Sequence, residues 1–301
     1  MKNFVLIGAA GYIAPRHMKA IKATGNNLLA AYDPYDGVGI IDSHFPQSHF
    51  FTEFERFDRY IEKVKRAGTN VDYVSICSPN YLHDAHIRYG LRIGADVICE
   101  KPVVLNSWNL EALIELEQEY KNKVYTIFQL RHHPAIIELK ETIGNGLFNK
   151  TYDIDLKYIT SRGNWYFTSW KGDEEKSGGI ASNIGVHFFD MLQWIFGPMK
   201  EFNVTIKTKD TNAGTLVLQK ANVKWYLSIN NDNLPQKIKE KGQTTFRNLS
   251  IEGKEIEFSK GFTDLHSISY ENILKGKGFS LNEAKNSVEI VGAIRNSITS
   301  N

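Results

Sequence analysis

The sequence contains few cysteines, almost no net charge and no long apolar run. Its two cysteines, Cys77 and Cys99, form no CxxC pair, which excludes a zinc ribbon or a thioredoxin-like redox motif. Both stand in apolar runs, so we expect small buried side chains and a reducing, cytoplasmic compartment. The net charge is +2, from 36 basic and 34 acidic residues, and gives no electrostatic basis for binding nucleic acid or an anionic membrane. No apolar run approaches the ~20 residues that cross a bilayer, and no signal-peptide pattern opens the chain.

The first part of the sequence alternates apolar runs with amphipathic segments. Continuous apolar runs, typical of strands buried on both faces of a parallel sheet, stand at 3–8, 27–33, 71–77, 95–102 and 123–129. Helical patterns lie between them, at 14–25, 54–68, 83–94 and 107–122. This rhythm predicts a doubly wound α/β domain over residues 1–123, with helices on both faces of a parallel sheet.

The second part of the sequence has a different pattern. Alternating apolar and polar residues predict strands with one buried face at 151–160, 202–209, 214–220, 223–230, 244–253 and 254–259. Two helical patterns, 180–197 and 281–298, accompany them. We expect an α+β domain with an open, mostly antiparallel sheet over residues 124–301. The closing helix is expected either within this domain or packed back on the first.

A glycine-containing loop follows the first predicted strand, in IGAAGYIAPRH (7–17). A pyrophosphate needs a tight turn, close backbone approach and helix N–H groups aimed at it. Gly8 ends the strand, Gly11 has no side chain to block approach, and Pro15 suits a first helical turn. The two glycines are three residues apart rather than the usual two. The loop alone therefore fits either a phosphate site or a tight turn that binds nothing.

The residue that favours a dinucleotide is Asp33, at the end of the second predicted strand. A carboxylate there accepts hydrogen bonds from an adenosine ribose and repels a 2′-phosphate, so NAD is the expected cofactor. Ser78, Asn80 and His83 follow a third strand and would lie near the nicotinamide, or would simply cap a helix. The predicted cofactor residues are Gly8, Ala10, Gly11, Tyr12, Ile13, Asp33, Ser78, Asn80, His83, Glu100, Lys101 and Gln129.

Two motifs carry the predicted chemistry, CEKP (99–102) and GGIASNIGVHFFD (178–190). Lys101 at a strand end can stabilise a developing alkoxide, and His187 can take a hydroxyl proton. On a helix, Asn183, His187 and Asp190 would share one face. A surface strand end and a polar seam against the sheet are the alternatives. We expect no metal site, because the histidines 83 and 86 have no cysteine or carboxylate cluster beside them.

The segment SRGNWYFTSWKGD (161–173) combines cations with aromatic rings. Arg162 and Lys171 could pair with phosphate or carboxylate groups, and the rings could wall or stack on a ligand. A polar loop with buried aromatics remains the alternative. The predicted substrate residues are Lys101, Arg131, Arg162, Trp165, Tyr166, Ser169, Trp170, Lys171, Asn183 and His187.

The motifs GAAGYIA, CSPNYLH, CEKP and GGIASNIGVHFFDML together resemble the Gfo/Idh/MocA oxidoreductases over nearly the whole chain. The resemblance implies a Rossmann domain followed by an open antiparallel α/β domain, bound NAD, and tetramers that pair through the C-terminal sheets. It also implies that Lys101 and His187 form the catalytic pair, that Asn183 orients the substrate, and that the Lys101–Pro102 peptide is cis.

Further motifs resemble one subgroup of that family, namely IGAAGYIAPRHMKAI, VGIIDS, QLRHHPAIIELK, YITSRGNWYFTSWKGDEEKS and FTDLHSISYENIL. The implied reaction is NAD-dependent oxidation at C3 of UDP-N-acetylglucosaminuronate, in O-antigen (lipopolysaccharide) or related polysaccharide synthesis. A partner aminotransferase would use the product, and 2-oxoglutarate could regenerate NAD. The competing hypotheses are a dehydrogenase of a free polyol or aldose, and an NAD-sensing regulator. The presence of both Lys101 and His187 argues against the regulator.

Overall fold

The computed structural model describes residues 1–146, 150–256, 258 and 264–298. The chain divides into two compact units. The first comprises Met1–Gln129 and a later segment that ends at Ala284. The second comprises the chain from Leu130 together with the C-terminal segment from Lys285. None of the described helices is long and apolar enough to cross a membrane.

The first unit is built on a six-stranded, fully parallel sheet. Its strands are β1 (Asn3–Ile7), β2 (Asn27–Tyr32), β3 (His49–Phe51), β4 (Tyr73–Ile76), β5 (Asp96–Cys99) and β6 (Val124–Thr126). The strand order is β3-β2-β1-β4-β5-β6, which is the order of a Rossmann fold. The order reverses between β1 and β4, and ligands bind beyond the carboxyl ends of strands at such a switch point.

Among the described residues, the α-helices of this unit are α1 (Ala14–Ala23), α2 (Ile40–His44), α3 (Phe54–Arg66), α4 (His83–Arg92), α5 (Ser107–Tyr120) and, much later in the chain, α11 (Leu265–Leu274). Helix α1 begins beside Pro15 and buries Met18 and Ile21 completely. Helix α11 contributes the fully buried Tyr270 to the same apolar core. Burial raises the pKa of the Cys77 and Cys99 thiols, so both behave as inert core side chains.

The second unit is built on a mixed sheet. Its strands are β7 (Tyr152–Thr160), β8 (Met199–Lys207), β9 (Thr211–Leu218), β10 (Ala221–Ser228), β11 (Thr245–Ile251) and β12 (Lys254–Glu255), in the order β12-β11-β7-β10-β9-β8. Neighbours are antiparallel except β7 and β10, which are parallel. Strand β10 alternates buried and non-buried residues over most of its length, with Trp225 among the buried ones, as expected of a sheet with one covered face.

The helices of the second unit supply the other side of its core. They are α6 (Pro134–Gly144), α7 (Trp165–Thr168), α8 (Glu174–Ser177), α9 (Val186–Phe196), α10 (Gln236–Glu240) and, from Lys285 onwards, α12 (Leu281–Asn296). Helix α9 carries Phe189 and Phe196, both with no exposed surface. A π-helical turn, Ala181–Gly185, precedes α9 directly. The structure therefore has the two-domain α/β fold that was predicted.

The first unit runs to Gln129 before the chain enters the second, whereas the predicted domain boundary lies near residue 123. Strand β6 pairs in parallel with β5, so the first sheet extends past that boundary. Helix α11 also belongs to the first unit, although its sequence lies between segments of the second. The predicted strand 254–259 is described only in part, because residues 257 and 259 lie outside the described residues.

Candidate active site

The loop after β1 is fixed by contacts that require glycine. The N–H of Gly8 donates to the carbonyl of Tyr32 at 2.8 Å. Gly8 has φ +90°, and a Cβ atom there would lie 2.5 Å from both the carbonyl carbon of Cys77 and the nitrogen of Ser78. A side chain is therefore excluded both by conformation and by the neighbouring turn.

Asp33 is tied to this loop. One of its carboxylate oxygens accepts from the N–H of Ala10 at 2.9 Å, and the other accepts from the N–H of Tyr35 at 2.9 Å. Each carboxylate oxygen has a further lone pair, so ribose hydroxyls can still donate to the same group. Asp33 is 6% exposed, and the two hydrogen bonds hold its carboxylate beside the loop. Its position fits the predicted role in binding a ribose.

The loop leaves two backbone N–H groups for a ligand. The N–H groups of residues 8 to 11 all donate within the loop or to its neighbours. Those of Tyr12 and Ile13 make no hydrogen bond to another described residue. They stand at the N-terminus of α1, where the helix dipole favours an anion and no acidic residue occupies the first turn. These residues fit the diphosphate of a dinucleotide.

Replacing Gly8 by alanine is expected to lower NAD affinity at least tenfold and to lower the melting temperature, because the new Cβ collides with backbone. Gly25→Ala is the matched control, since Gly25 has φ +71° but no atom within 4 Å of the added carbon. The control loses only the strain energy of a left-handed residue, on the order of 1 kcal/mol. Calorimetric NAD titration and thermal unfolding measure both effects. Equal losses in the two variants would show that the close approach is unimportant.

Two histidines hold the turns beyond β4 and β5. The ring of His83 lies 2.7 Å from the carbonyl oxygen of Pro102 through Nδ1 and 2.8 Å from that of Ser78 through Nε2. Burial lowers the pKa of His83 more than the two carbonyls raise it, so the neutral ring donates to one oxygen at a time. The Ser78 hydroxyl contacts Nδ1 of His86 at 2.9 Å, and burial lowers the pKa of His86 to about 4. Asn80 is buried in the same turn.

Lys101 is the second residue after the end of β5 and is half-buried. Its peptide bond to Pro102 is cis, as the family resemblance implied. The preceding Glu100 is turned into the core, where His17 and His266 contact its carboxylate. Gln129, at the end of the first unit, has a buried Oε1 atom with no hydrogen-bond partner among the described residues. A ligand that offers an N–H group would satisfy this oxygen.

In the second unit, Asn183 and His187 are half-buried, whereas the three residues between them are buried. Asn183 lies in the π-helical turn and His187 lies in the first turn of α9. Asp190, which was predicted on the same helical face, differs from both because it is buried, with 3% of its surface exposed. The Asn183 amide donates to the hydroxyl of Tyr166 at 2.8 Å. Turns of this kind are frequent at functional sites.

Arg131 and Asp190 form a buried ion pair. The guanidinium donates to both carboxylate oxygens, from Nε at 2.9 Å and from Nη2 at 2.6 Å. Their side chains are 5% and 3% exposed. The structure thus places Arg131, predicted to bind substrate, as the partner of Asp190, where it anchors α9.

The two cations of segment 161–173 differ in their surroundings. Arg162 is exposed, and the ammonium of Lys171 lies 5.4 Å from the ring centre of Trp165 and 5.7 Å from that of Trp170. Burial and the nearby charge of Arg162 lower the pKa of Lys171. Trp165 is 51% exposed, so its ring offers a surface on which a planar group could stack.

Two other residues of this segment have structural contacts. Tyr166 is 2% exposed, and burial raises the pKa of its hydroxyl. It presents that hydroxyl to Asn183 rather than a ring face to solvent. The Ser169 hydroxyl donates to the carbonyl of Tyr166 at 2.9 Å. Of the rings predicted to stack on a ligand, Trp165 and Trp170 therefore remain as candidates.

The family models for this chain match both units. Residues 2–128 match the oxidoreductase family's NAD-binding Rossmann fold, and residues 140–236 match its C-terminal alpha/beta domain. Among curated proteins, the inositol 2-dehydrogenase of Rhizobium meliloti is 26% identical over 65% of this chain and 55% of its own length. The chain spans about half the length of several curated relatives it matches.

Solved structures give a stronger match. The WlbA (WbpB) dehydrogenase of Thermus thermophilus, crystallised with NAD and alpha-ketoglutarate, is 47% identical with a TM-score of 0.96, covering 100% of this chain and 96% of that one. The same enzyme with NAD and UDP-GlcNAcA is 46% identical, with the same TM-score and coverage. The WlbA dehydrogenase of Bordetella pertussis, at 19% identity and a TM-score of 0.78, covers 97% of this chain and 94% of that one, and shares the fold. The chain belongs to the Gfo/Idh/MocA family of NAD-dependent oxidoreductases.

Proposed function

We propose that the protein oxidises the C3 hydroxyl of UDP-N-acetylglucosaminuronate to the 3-keto sugar nucleotide with NAD. The observation that carries this proposal is the 47% identity over the whole chain to a dehydrogenase of known structure, whose second complex holds NAD and UDP-GlcNAcA. Lys101 at the end of β5 and His187 at the start of α9 supply the two groups that the reaction needs.

Bound NAD supplies the acceptor for the hydride that leaves C3. Lys101 donates a hydrogen bond to the C3 oxygen and stabilises the negative charge that develops on it. His187 accepts the hydroxyl proton, since a neutral imidazole is a base near neutral pH. Asn183 orients the sugar beside His187. The hydroxyl thus loses its proton to the protein while its carbon loses a hydride, which leaves a ketone.

The charge and ring content of segment 161–173 supports a sugar nucleotide as substrate. The diphosphate and the uronate carboxylate are anions that Arg162 and Lys171 can bind. Trp165 and Trp170 can cover the planar uracil. We also propose that 2-oxoglutarate regenerates NAD, in keeping with the ketoacid in the Thermus complex. A homotetramer in the cytoplasm and an aminotransferase acting on the 3-keto product complete the proposal.

Turnover tests this function directly. Purified protein, UDP-N-acetylglucosaminuronate and 2-oxoglutarate are expected to yield a 3-keto sugar nucleotide and 2-hydroxyglutarate in equal amounts. UDP-N-acetylglucosamine is the matched control substrate, because it differs only in carrying a hydroxymethyl group in place of the carboxylate. Free N-acetylglucosaminuronate, which lacks only the UDP group, should be oxidised much less efficiently. Preferred oxidation of myo-inositol or a free aldose would contradict the assignment.

A further inference from the structure

A buried chain of polar groups runs through the first unit beneath Lys101. Glu100 Oε1 lies 3.0 Å from Nε2 of His17 and 2.9 Å from Nε2 of His266. Nδ1 of His17 lies 2.7 Å from the Tyr270 hydroxyl, which lies 2.7 Å from the Ser75 hydroxyl. None of the five residues is more than 7% exposed. The chain joins α1, α11 and β4 to the residue that precedes Lys101.

The donors and acceptors of this chain can be assigned. An ionised carboxylate only accepts, so both Nε2 atoms must carry hydrogen and donate to Glu100. Burial lowers the pKa of His17, which makes its ring neutral and leaves its Nδ1 atom as an acceptor. The Tyr270 hydroxyl therefore donates to His17, and the Ser75 hydroxyl donates to Tyr270. Each contact of the chain is then a hydrogen bond with one donor and one acceptor.

The two imidazole donors keep Glu100 ionised inside the core. Burial alone would raise the pKa of its carboxyl, but the hydrogen bonds from His17 and His266 hold that pKa well below its ordinary value. The second carboxylate oxygen, Oε2, accepts from the backbone N–H of Lys101 at 3.3 Å. One anion is thus held by the core through Oε1 and reaches the backbone of Lys101 through Oε2.

The side chains of His17, Glu100 and His266 are also close enough together to bind a metal ion. Hydrogen bonds account for these contacts without a cation, and the anion already has two donors on Oε1. A metal would also remove the hydrogens from both Nε2 atoms. We therefore favour the hydrogen-bonded arrangement. It predicts a hydrogen on Nε2 of both histidines, whereas a metal ion would require both atoms to lack one.

We propose that Glu100 is a positioning residue, which fixes the backbone of Lys101 and is itself held by the chain Ser75–Tyr270–His17 and by His266. Its part in catalysis rests on the proposed function, in which Lys101 stabilises the alkoxide. Displacement of a catalytic group by about 1 Å costs on the order of 10²-fold in rate. The buried chain thus acts on the position of Lys101 through the backbone of that residue.

Glu100→Gln is the variant that isolates this contact. The glutamine oxygen can still accept from both histidines, and its NH₂ group then faces the N–H of Lys101, where two donors cannot pair. Glu117→Gln is the matched control, because Glu117 is a buried acid of the same unit, 8% exposed, whose Oε1 accepts the N–H of Val124 at 2.8 Å. Both variants lose one buried charge, but only Glu100→Gln disturbs Lys101.

We expect Glu100→Gln to lower kcat on the order of tenfold, with KM for the UDP-sugar and Kd for NAD within about twofold of wild type. Glu117→Gln should keep kcat. Hydrogen exchange at the Lys101 amide, measured without substrate, should accelerate on the order of tenfold in Glu100→Gln alone. An unchanged kcat in an active enzyme, or unchanged exchange at Lys101, would overturn the proposal.

The hydrogen-bond assignment can also be tested on the wild-type protein, so that this test does not depend on the folding of a variant. Nitrogen NMR of the imidazoles is expected to show His17 as the neutral Nε2–H tautomer and a hydrogen on Nε2 of His266. An Nε2 atom without hydrogen, or a stoichiometric transition metal in elemental analysis, would overturn the assignment of Glu100. If wild-type protein fails to oxidise the UDP-sugar, the proposed function fails, while the tautomers and the exchange at Lys101 still decide the positioning role.

Discussion

Replacement of Lys101 by alanine is expected to lower kcat by about 10²- to 10³-fold, the loss typical of removing one donor to a developing oxyanion. The NAD affinity should change little, because Tyr12, Ile13 and Asp33 are the residues that we assign to the diphosphate and ribose. Single-turnover absorbance of the reduced nicotinamide measures the chemical step without product release. The effect should appear in kcat and kcat/KM alike, since the contact strengthens in the transition state.

Lys123→Ala is the matched control for Lys101→Ala. Lys123 is exposed and lies before β6, at the amino end of the sheet, so its loss should leave kcat unchanged. Lys101→Arg keeps a positive charge but changes the donor geometry, and it should recover only part of the rate. An NAD-sensing regulator would show no turnover in any of these proteins. Full activity in Lys101→Ala would exclude the lysine as the group that stabilises the alkoxide.

The Rossmann unit could be predicted because its signals are local. Continuous apolar runs predicted five of its strands. The sequence did not predict β3, because three residues are too few to show a strand's pattern of apolar residues. The glycine spacing in the nucleotide loop left two readings at the sequence level. The structure favours a cofactor loop. The Asp33 carboxylate accepts from the N–H of Ala10, and the N–H groups of Tyr12 and Ile13 have no hydrogen-bond partner among the described residues.

The sequence did not show which residues form hydrogen bonds or ion pairs with the buried charged side chains. Glu100 and Arg131 both stand in motifs beside strand ends, which suggested contacts with ligands. Their actual partners are distant in sequence, since His266 is 166 positions from Glu100 and Asp190 is 59 from Arg131. The motif FTDLHSISYENIL contains His266 and Tyr270, but it gave neither residue a role, because α11 has weak amphipathic patterning and lies among segments of the other unit.

The buried pair of Arg131 and Asp190 should have the largest effect on stability. Arg131→Ala leaves a carboxylate in the core without its guanidinium, and breaking a buried pair in this way costs about 3–5 kcal/mol. Denaturation by urea, followed by tryptophan fluorescence, measures the loss, because four of the five tryptophans lie in the second unit. Arg66→Ala is the control, because Arg66 pairs with Glu62 at the surface, where such pairs contribute roughly 0–1 kcal/mol.

A double variant separates the effect of the two charges of Arg131 and Asp190 on stability from the effect of their packing. Arg131→Met with Asp190→Val replaces both charges by apolar side chains of roughly the same combined volume and should recover most of the lost stability. His187 lies one turn before Asp190 on α9, so the double variant also tests whether the pair serves the site. Recovered stability with a lowered kcat would mean that the ion pair orients α9 for His187. A loss below about 1 kcal/mol in Arg131→Ala would mean that water reaches Asp190 and that the pair does not anchor the helix.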